Sequence, residues 1–482
     1  MKILMLNPPF LPRYSRFSRS PAVTKSGTLY YPIWHAYATG LLESHGHEVK
    51  LIDAPASGLQ KEDCYRIAKE FSPNMVVVYT STPSIYSDVA IASELKRLLV
   101  ASVVLTGPHV SALPEETLLL SQGIDIIARR EYDLTLIELA SSLLEGRDLE
   151  KVKGITFRNN ERIISTPDRE FIEDMDSLPF VSEVYKRHLN IRNYFYAHCR
   201  YPVVSIFTSR GCNARCSYCL YPQLMFGRRQ RQRSPENIVS EFEYIEKELP
   251  YVKEVLIDDD TFSFNQRHTL KFCELMIRRN IRIPWTVECR ANLDYETMLM
   301  MKKAGCRLIV AGFESADDEI LRNIKKGLTV ERMRQFLSDA KKAGVMVHAC
   351  FMAGNKGETK ETLMKSLKFA QEINADTCQF FPLMVYPGTE AYDWAKENKY
   401  LNSEKYSDWL TSEGLHNCVV SFPGLSSKDI VDFCDYARRR YYLDPRYLWY
   451  KLKQVIMKPG EMKKTMKSLR VFARYLIPKK EH

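Results

Sequence analysis

Short apolar runs that each end in a turn, with a helical pattern before the next, limit most strongly what this chain can fold into. NMVVVYTSTP and ASVVLTGPH place four or five β-branched or apolar residues before Pro, Gly, Ser or Thr, and KILMLNPP and HEVKLIDAP read the same way. IWHAYATGLLESHG and SDVAIASELKRLL are helical patterns between them, and GIDIIARREYD adds a shorter apolar run. This alternation predicts a parallel sheet covered on both faces, with ligands at the carboxyl ends of its strands. KGITFRNNERIISTP reads as a hairpin around Asn159 and Asn160, followed by a polar and aromatic connector to about Tyr201. A second series then begins. VVSIFTSR, EVLIDDDTF, IPWTVECRAN, CRLIVAGFES, VMVHACFMAG and CQFFPLMVYPG are strands separated by helices such as TVERMRQFLSDAKKAG, which suggests a partial or full β/α barrel. Beyond about Leu401 the strand signal fades and the remainder looks mainly helical. The fold class is therefore α/β, with a Rossmann-like parallel sheet over 1–150, a hairpin and linker over 151–200, a partial barrel over 201–400 and a helical, basic region over 401–482.

A length of 482 residues fits more than one domain, and 45% hydrophobic with 27% charged residues is ordinary globular usage. The net charge of +10 is concentrated at one end: residues 438–482 carry 14 Lys and Arg against 3 Asp and Glu, and the rest of the chain is close to neutral. A basic end is either a solvated helix face or a surface for anions such as a membrane, a phosphorylated substrate or nucleic acid. The 12 cysteines are spread widely apart from one cluster, MKILMLNPPF has too short an apolar run for a signal peptide, and no stretch suggests a membrane span. A reduced cytoplasmic setting, with thiols free to bind metal, is the expectation.

The cluster is TSRGCNARCSYCLYP, with Cys212, Cys216 and Cys219 in a CxxxCxxC spacing after a strand. Thiolates are the usual ligands of iron–sulfur clusters, and a loop this compact can hold three corners of a cube while leaving one iron open to a small molecule. A structural zinc would need a fourth ligand, which His198 or Cys199 could supply, and an electron-carrying ferredoxin site needs four cysteines. The pattern resembles the radical S-adenosylmethionine superfamily, with Tyr218 matching the aromatic usual before the last cysteine. That resemblance implies a 4Fe-4S cluster whose open iron is chelated by the amino and carboxylate groups of S-adenosylmethionine, and reductive cleavage to a 5′-deoxyadenosyl radical.

Further segments carry the resemblance. Asp258, Asp259 and Asp260 match the acidic strand end that lies near the cofactor's amino group in that family, although three adjacent carboxylates also suit a solvated turn. Glu288 and Arg290 stand where the family turns polar residues toward cofactor or substrate. Glu314 and Ser315 belong to a GxES-like segment, whose acid contacts the ribose hydroxyls. HACFMAGNKGET departs from the usual segment at Asn355 and Lys356, which replace Leu-Pro, and VYPGTEAYDWAKENKYL resembles the end of many such barrels.

NPPF, LIDAP, the loop with Thr80 and Ser81, and TGPH with His109 resemble the cobalamin-binding domain found ahead of many of these enzymes. The DxHxxG pattern that supplies a ligand below cobalt is absent, so His109 is expected to lie near the cofactor as a loop residue. RYSRFSRSPAVTKSGTLYYP is long for a strand-to-helix connection, and its Arg13, Arg16, Arg19 and Lys25 could cover a cofactor or grip an anionic substrate. The chain looks most like the hopanoid-associated and magnesium-protoporphyrin cyclase-like branch. The resemblance implies an enzyme that modifies an unactivated carbon of a lipid-linked or sugar-like small molecule, by methyl transfer or by radical rearrangement and ring formation. Its partners would be an amphiphilic substrate, an electron donor such as flavodoxin or ferredoxin, and through the basic aromatic C-terminal region an anionic membrane surface. The alternatives are a methylthiolating enzyme acting on RNA and a non-catalytic iron–sulfur or zinc protein. Nucleic acid is not expected as a partner, because Cys64 is the only cysteine in the first 198 residues and no RNA-binding barrel is recognisable.

Overall fold

In the computed structural model, which describes residues 1–160 and 162–457, the first strand series forms a seven-stranded sheet in the order β2-β1-β3-β4-β5-β6-β7. β1 (Lys2–Asn7), β2 (Glu48–Asp53), β3 (Met75–Tyr79), β4 (Ser102–Thr106) and β5 (Ile126–Ala128) are parallel, and the hairpin β6 (Ile155–Asn159) and β7 (Arg162–Ser165) adds two antiparallel strands. β3 is buried at every position and β1 at all but its first residue, as a sheet covered on both faces requires. The strand order reverses at β1, with β2 on one side and β3 on the other. Right-handed crossovers then place the intervening helices on opposite faces and open a crevice at the carboxyl ends of β1 and β3.

The second series forms a six-stranded parallel sheet in the order β15-β14-β13-β12-β11-β8. Its strands are β8 (Val203–Ile206), β11 (Glu254–Ile257), β12 (Trp285–Arg290), β13 (Cys306–Glu314), β14 (Met346–Ala353) and β15 (Thr377–Pro382), while β9 (Ser209–Arg210) and β10 (Arg231–Gln232) form a small antiparallel pair beside β8. β8 and β15 are the two ends of the order, so the sheet curls into a partial barrel with an open side. The helices Ser427–Tyr442 and Pro445–Met457 follow an irregular stretch over 401–426, and the first of them packs on β14 and β15.

The two halves share one core. Every residue from Ile33 to Leu42 is buried in the helix Ile33–Ser44, because one side of the helix meets the first sheet and another meets the barrel. Trp34 lies 4.2 Å from Phe207 and 4.4 Å from Phe226, and the Tyr37 hydroxyl donates to the Phe207 carbonyl at 3.1 Å. Ion pairs reinforce the joint. Arg210 Nη1 meets Glu131 at 2.8 Å and Asp133 at 2.7 Å, and Arg231 Nη1 meets the second oxygen of Glu131 at 2.8 Å, all nearly excluded from water.

Candidate active site

A cavity of about 2210 Å³ occupies the barrel. Its wall shows the period of two expected of strands: Leu308, Val310, Gly312 and Glu314 from β13, and Met346, His348, Cys350 and Met352 from β14, face inward. The amino-terminal segment lines it through Arg19 and Tyr30, and the C-terminal helices through Tyr442, Tyr447 and Leu448. Cys212, Cys216 and Cys219 all line one end.

The cysteine loop is positioned by residues with no chemistry of their own. Asp259 accepts from the Thr208 amide at 2.7 Å, the Ser209 amide at 3.2 Å and both hydroxyls at 2.6 Å, fixing the backbone just ahead of the loop. Arg228 donates to the Ala214 carbonyl at 2.7 Å, and Gln223 to those of Cys219 at 2.7 Å and Ser217 at 3.1 Å. Gly211 has φ +80°, and the Cβ of any other residue there would lie 2.3 Å from the Arg229 carbonyl oxygen. Burial, reinforced by Asp260, raises the Cys212 and Cys219 thiols, so without metal they hold their protons. Iron must displace those protons to bind. Arg290 Nη1 lies 3.6 Å from Cys216 Sγ, a cation beside a prospective thiolate. Among the described residues no three His, Cys, Asp or Glu side chains converge on a single metal ion.

Next to them Glu314 takes φ +66°, where the β13–β14 register shifts, and this turns its side chain into the cavity. Glu314 Oε1 meets Lys326 Nζ at 2.8 Å, and Lys326 also donates to the Tyr218 hydroxyl at 3.3 Å. Glu314 Oε2 is buried without a partner among the described residues. An orphaned carboxylate oxygen on a cavity wall fits a ligand's hydroxyl groups. Gly312 makes this possible, since a Cβ there would sit 2.3 Å from Glu314 Oε1. Ser315, by contrast, is fully buried and its hydroxyl lies 3.5 Å from that of Ser366, away from the cavity. Arg290 also donates to the Lys326 carbonyl, so the cysteine loop, β12 and the loop after the helix Asp318–Asn323 are tied together.

The acidic strand end is split. Asp259 points back to β8, as described, whereas Asp258 and Asp260 meet Arg19 from the amino-terminal segment. Arg19 bonds Asp258 Oδ1 at 2.6 Å, the Asp258 carbonyl at 2.7 Å, Asp260 at 3.2 Å and Glu288 at 3.0 Å. Burial, opposed by Arg19 and assisted by the two aspartates, lifts Glu288 to about 8. The sequence offered Arg19 only as one cation of a long loop, and nothing in it marked Lys326.

Thr80, Ser81 and His109 lie elsewhere, at the carboxyl edge of the first sheet, and do not line the cavity. The Tyr14 hydroxyl is 2.9 Å from Ser81 Oγ, and the His109 ring stands edge-on to Tyr406 at 4.8 Å. Burial pushes His109 down to about 3, so it stays neutral, and its Nε2 has no partner among the described residues. The residues of this edge offer polar groups to a ligand, and the chain's own Tyr14, Arg16 and Phe17 side chains sit on it.

Comparison with known proteins gives a consistent result. Sequence models of the radical SAM superfamily and of the B12 binding domain match residues 206–370 and 19–140. An uncharacterized methyltransferase of Pyrococcus horikoshii is 30% identical over 456 residues, covering 93% of this chain and 94% of that protein. The anaerobic magnesium-protoporphyrin IX monomethyl ester cyclase of Rubrivivax gelatinosus is 25% identical over 431 residues, 87% of this chain and 75% of the cyclase. The structure of the radical S-adenosylmethionine methyltransferase TsrM from Kitasatospora setae, with cobalamin and a [4Fe-4S] cluster bound, superposes with a TM-score of 0.70 at 19% identity, over 92% of this chain and 89% of that one.

Proposed function

The chain belongs to the radical S-adenosylmethionine superfamily, in the group with a B12-binding domain ahead of the barrel, and on that premise we propose that it modifies an unactivated carbon of an elongated amphiphile. It is an enzyme of the methyltransferase or cyclase type, and the cofactors of the group are a [4Fe-4S] cluster, S-adenosylmethionine and cobalamin. Cluster and S-adenosylmethionine together supply a radical able to take hydrogen from carbon. In this reading Cys212, Cys216 and Cys219 would hold the cluster. Glu314, set by Gly312 and Lys326, receives the ribose hydroxyls, and Arg290 steadies the Cys216 sulfur. Asp260 and Glu288 line the same end, and the apolar wall beyond keeps water from the reacting carbon. Glu314→Gln is expected to leave iron content unchanged and to weaken S-adenosylmethionine binding by roughly tenfold to a hundredfold, since a hydrogen bond to a charged group contributes about 1.5–3 kcal/mol. Titration of the reduced cluster's EPR signal with S-adenosylmethionine checks this.

The shape of the cavity carries the substrate reading. It runs along the strands from Glu314 and Met352 at their carboxyl ends to Leu308 and Met346 at their amino ends, roughly 20 Å at about 3.3 Å per residue. Leu308, Val310, Met346 and Phe381 make the wall away from Glu314 apolar. Small-molecule pockets are commonly about 300–1,000 Å³, so 2210 Å³ leaves room for a long chain beside the cofactor. The helix Pro445–Met457, which contributes to the wall, exposes Leu448, Trp449, Leu452 and Ile456 together with Lys453. This suits an anionic bilayer, from which an amphiphile could pass to the cavity. The basic residues 458–482 invoked for the same contact lie outside the described residues. No described helix is long and apolar enough to cross a membrane.

The test uses anaerobically reconstituted protein with S-adenosylmethionine and a flavodoxin or ferredoxin reductant. Stimulation of 5′-deoxyadenosine formation by the lipid fraction of a cell extract is expected. Stimulation confined to the water-soluble fraction would overturn the amphiphile, and no cleavage with a full cluster would overturn the enzyme reading. Flotation with anionic but not zwitterionic vesicles checks the membrane contact.

A further inference from the structure

We infer that the segment over 10–23 is a built-in occupant of the corrin crevice, and that cobalamin binds this protein only by displacing it. Ligands of doubly wound sheets enter at the carboxyl ends of the strands where the order reverses, here the ends of β1 and β3. That place is taken by three side chains of one connection. Phe17 stacks on Tyr79, the last residue of β3, with ring centres 3.8 Å apart. Arg16 pairs with Asp88 at 2.8 Å, both side chains fully buried, and donates to the Pro8 carbonyl at 2.6 Å and to Asn7 at the end of β1. Tyr14, also fully buried, bonds Ser81, which in turn bonds Ser84 at 2.7 Å.

The fit is close but incomplete. His109 Nε2 is buried just beyond the end of β4 without a partner among the described residues. A surface completed by its own segment would normally satisfy such a group. The same segment goes on to the barrel, where Arg19 holds Asp258, Asp260 and Glu288, and Ser20 Oγ lies 2.9 Å from His416 Nε2. Its departure therefore changes the lining of the cavity as well as the crevice. Because a ligand's apparent affinity falls in proportion to the fraction of open molecules, weakening the seat must tighten corrin binding.

The test titrates cluster-reconstituted full-length protein with hydroxocobalamin, following the corrin spectrum, in wild type and in Tyr14→Ala/Phe17→Ala. The variant is expected to bind on the order of tenfold more tightly or more, or to bind where wild type does not. Wild type carrying corrin is expected to be cut faster by trypsin after Arg13, Arg16 and Arg19, sites located by mass spectrometry; this second readout does not depend on the folding of the variant. Equal affinity in the two proteins, cleavage unaffected by corrin, or uptake by neither overturns the inference. Iron content and S-adenosylmethionine cleavage of the same samples report separately on the enzyme reading.

Discussion

Gly211→Ala is expected to empty the cluster site while the rest of the chain stays folded. An L side chain at φ +80° is strained by about 1–2 kcal/mol. Its Cβ would also overlap two backbone oxygens, 2.3 Å from Arg229 and 2.9 Å from Phe226. Neither can retreat cheaply. The Phe226 carbonyl accepts from Arg231 at 3.1 Å, the neighbouring Gly227 carbonyl from the Cys212 amide at 3.3 Å, and β10 pairs with β9 just beyond. The strain is therefore relieved by moving Cys212, the first cluster ligand. Iron per chain and 5′-deoxyadenosine formation should both fall to near background, with wild-type iron in the variant the contrary result. Gly58→Ala is the control: its φ of +68° is similarly strained, but nothing lies within 4 Å of the added carbon.

Glu131→Ala should lower stability by about 3–5 kcal/mol, the usual cost of leaving a buried charge without its partner. One carboxylate there serves Arg210, Arg231 and the Ile172 amide, the last at 2.8 Å. Asp133 remains for Arg210, but among the described residues Arg231 keeps the carbonyls of Ile172 and Phe226 and the face of the Phe171 ring, and no carboxylate. Because these arginines lie in the paired strands β9 and β10 flanking the cysteine loop, loss of stability and loss of iron should appear together. Denaturant unfolding under anaerobic conditions gives the first and iron analysis the second. Glu70→Ala, which removes only an exposed pair with Arg66, should change stability by less than about 1 kcal/mol. A shift at Glu131 no larger than that at Glu70 would mean the joint does not depend on this network.

Much of the fold could be read directly because strand and helix periods are local. The VVV of β3 and the VVL of β4 contain no polar position to turn outward, so both faces of their sheet had to be covered, and they are. The six barrel strands announced themselves in the same way, and the hairpin at Asn159 and Asn160 formed where the turn residues stand, with Asn160 at φ +56°. The adjacent acids of the DDD run were less legible. They look equivalent in a row, yet alternation along the chain sends Asp259 to the cysteine strand and leaves Asp258 and Asp260 to Arg19, more than 200 residues away in sequence.

By itself the sequence determined the local chemistry: which runs become strands, and which loop carries three thiols in a CxxxCxxC spacing. Tertiary structure alone decided the long-range charge pairing and the occupancy of the crevices. Arg19 among the barrel acids, Lys326 against Glu314, and Tyr14, Arg16 and Phe17 over the edge of the first sheet are contacts between segments far apart in the chain. The physical reason is that periodicity fixes which way a side chain points along its own strand or helix, whereas a buried charge is matched by whichever opposite charge the packing of distant elements brings within reach.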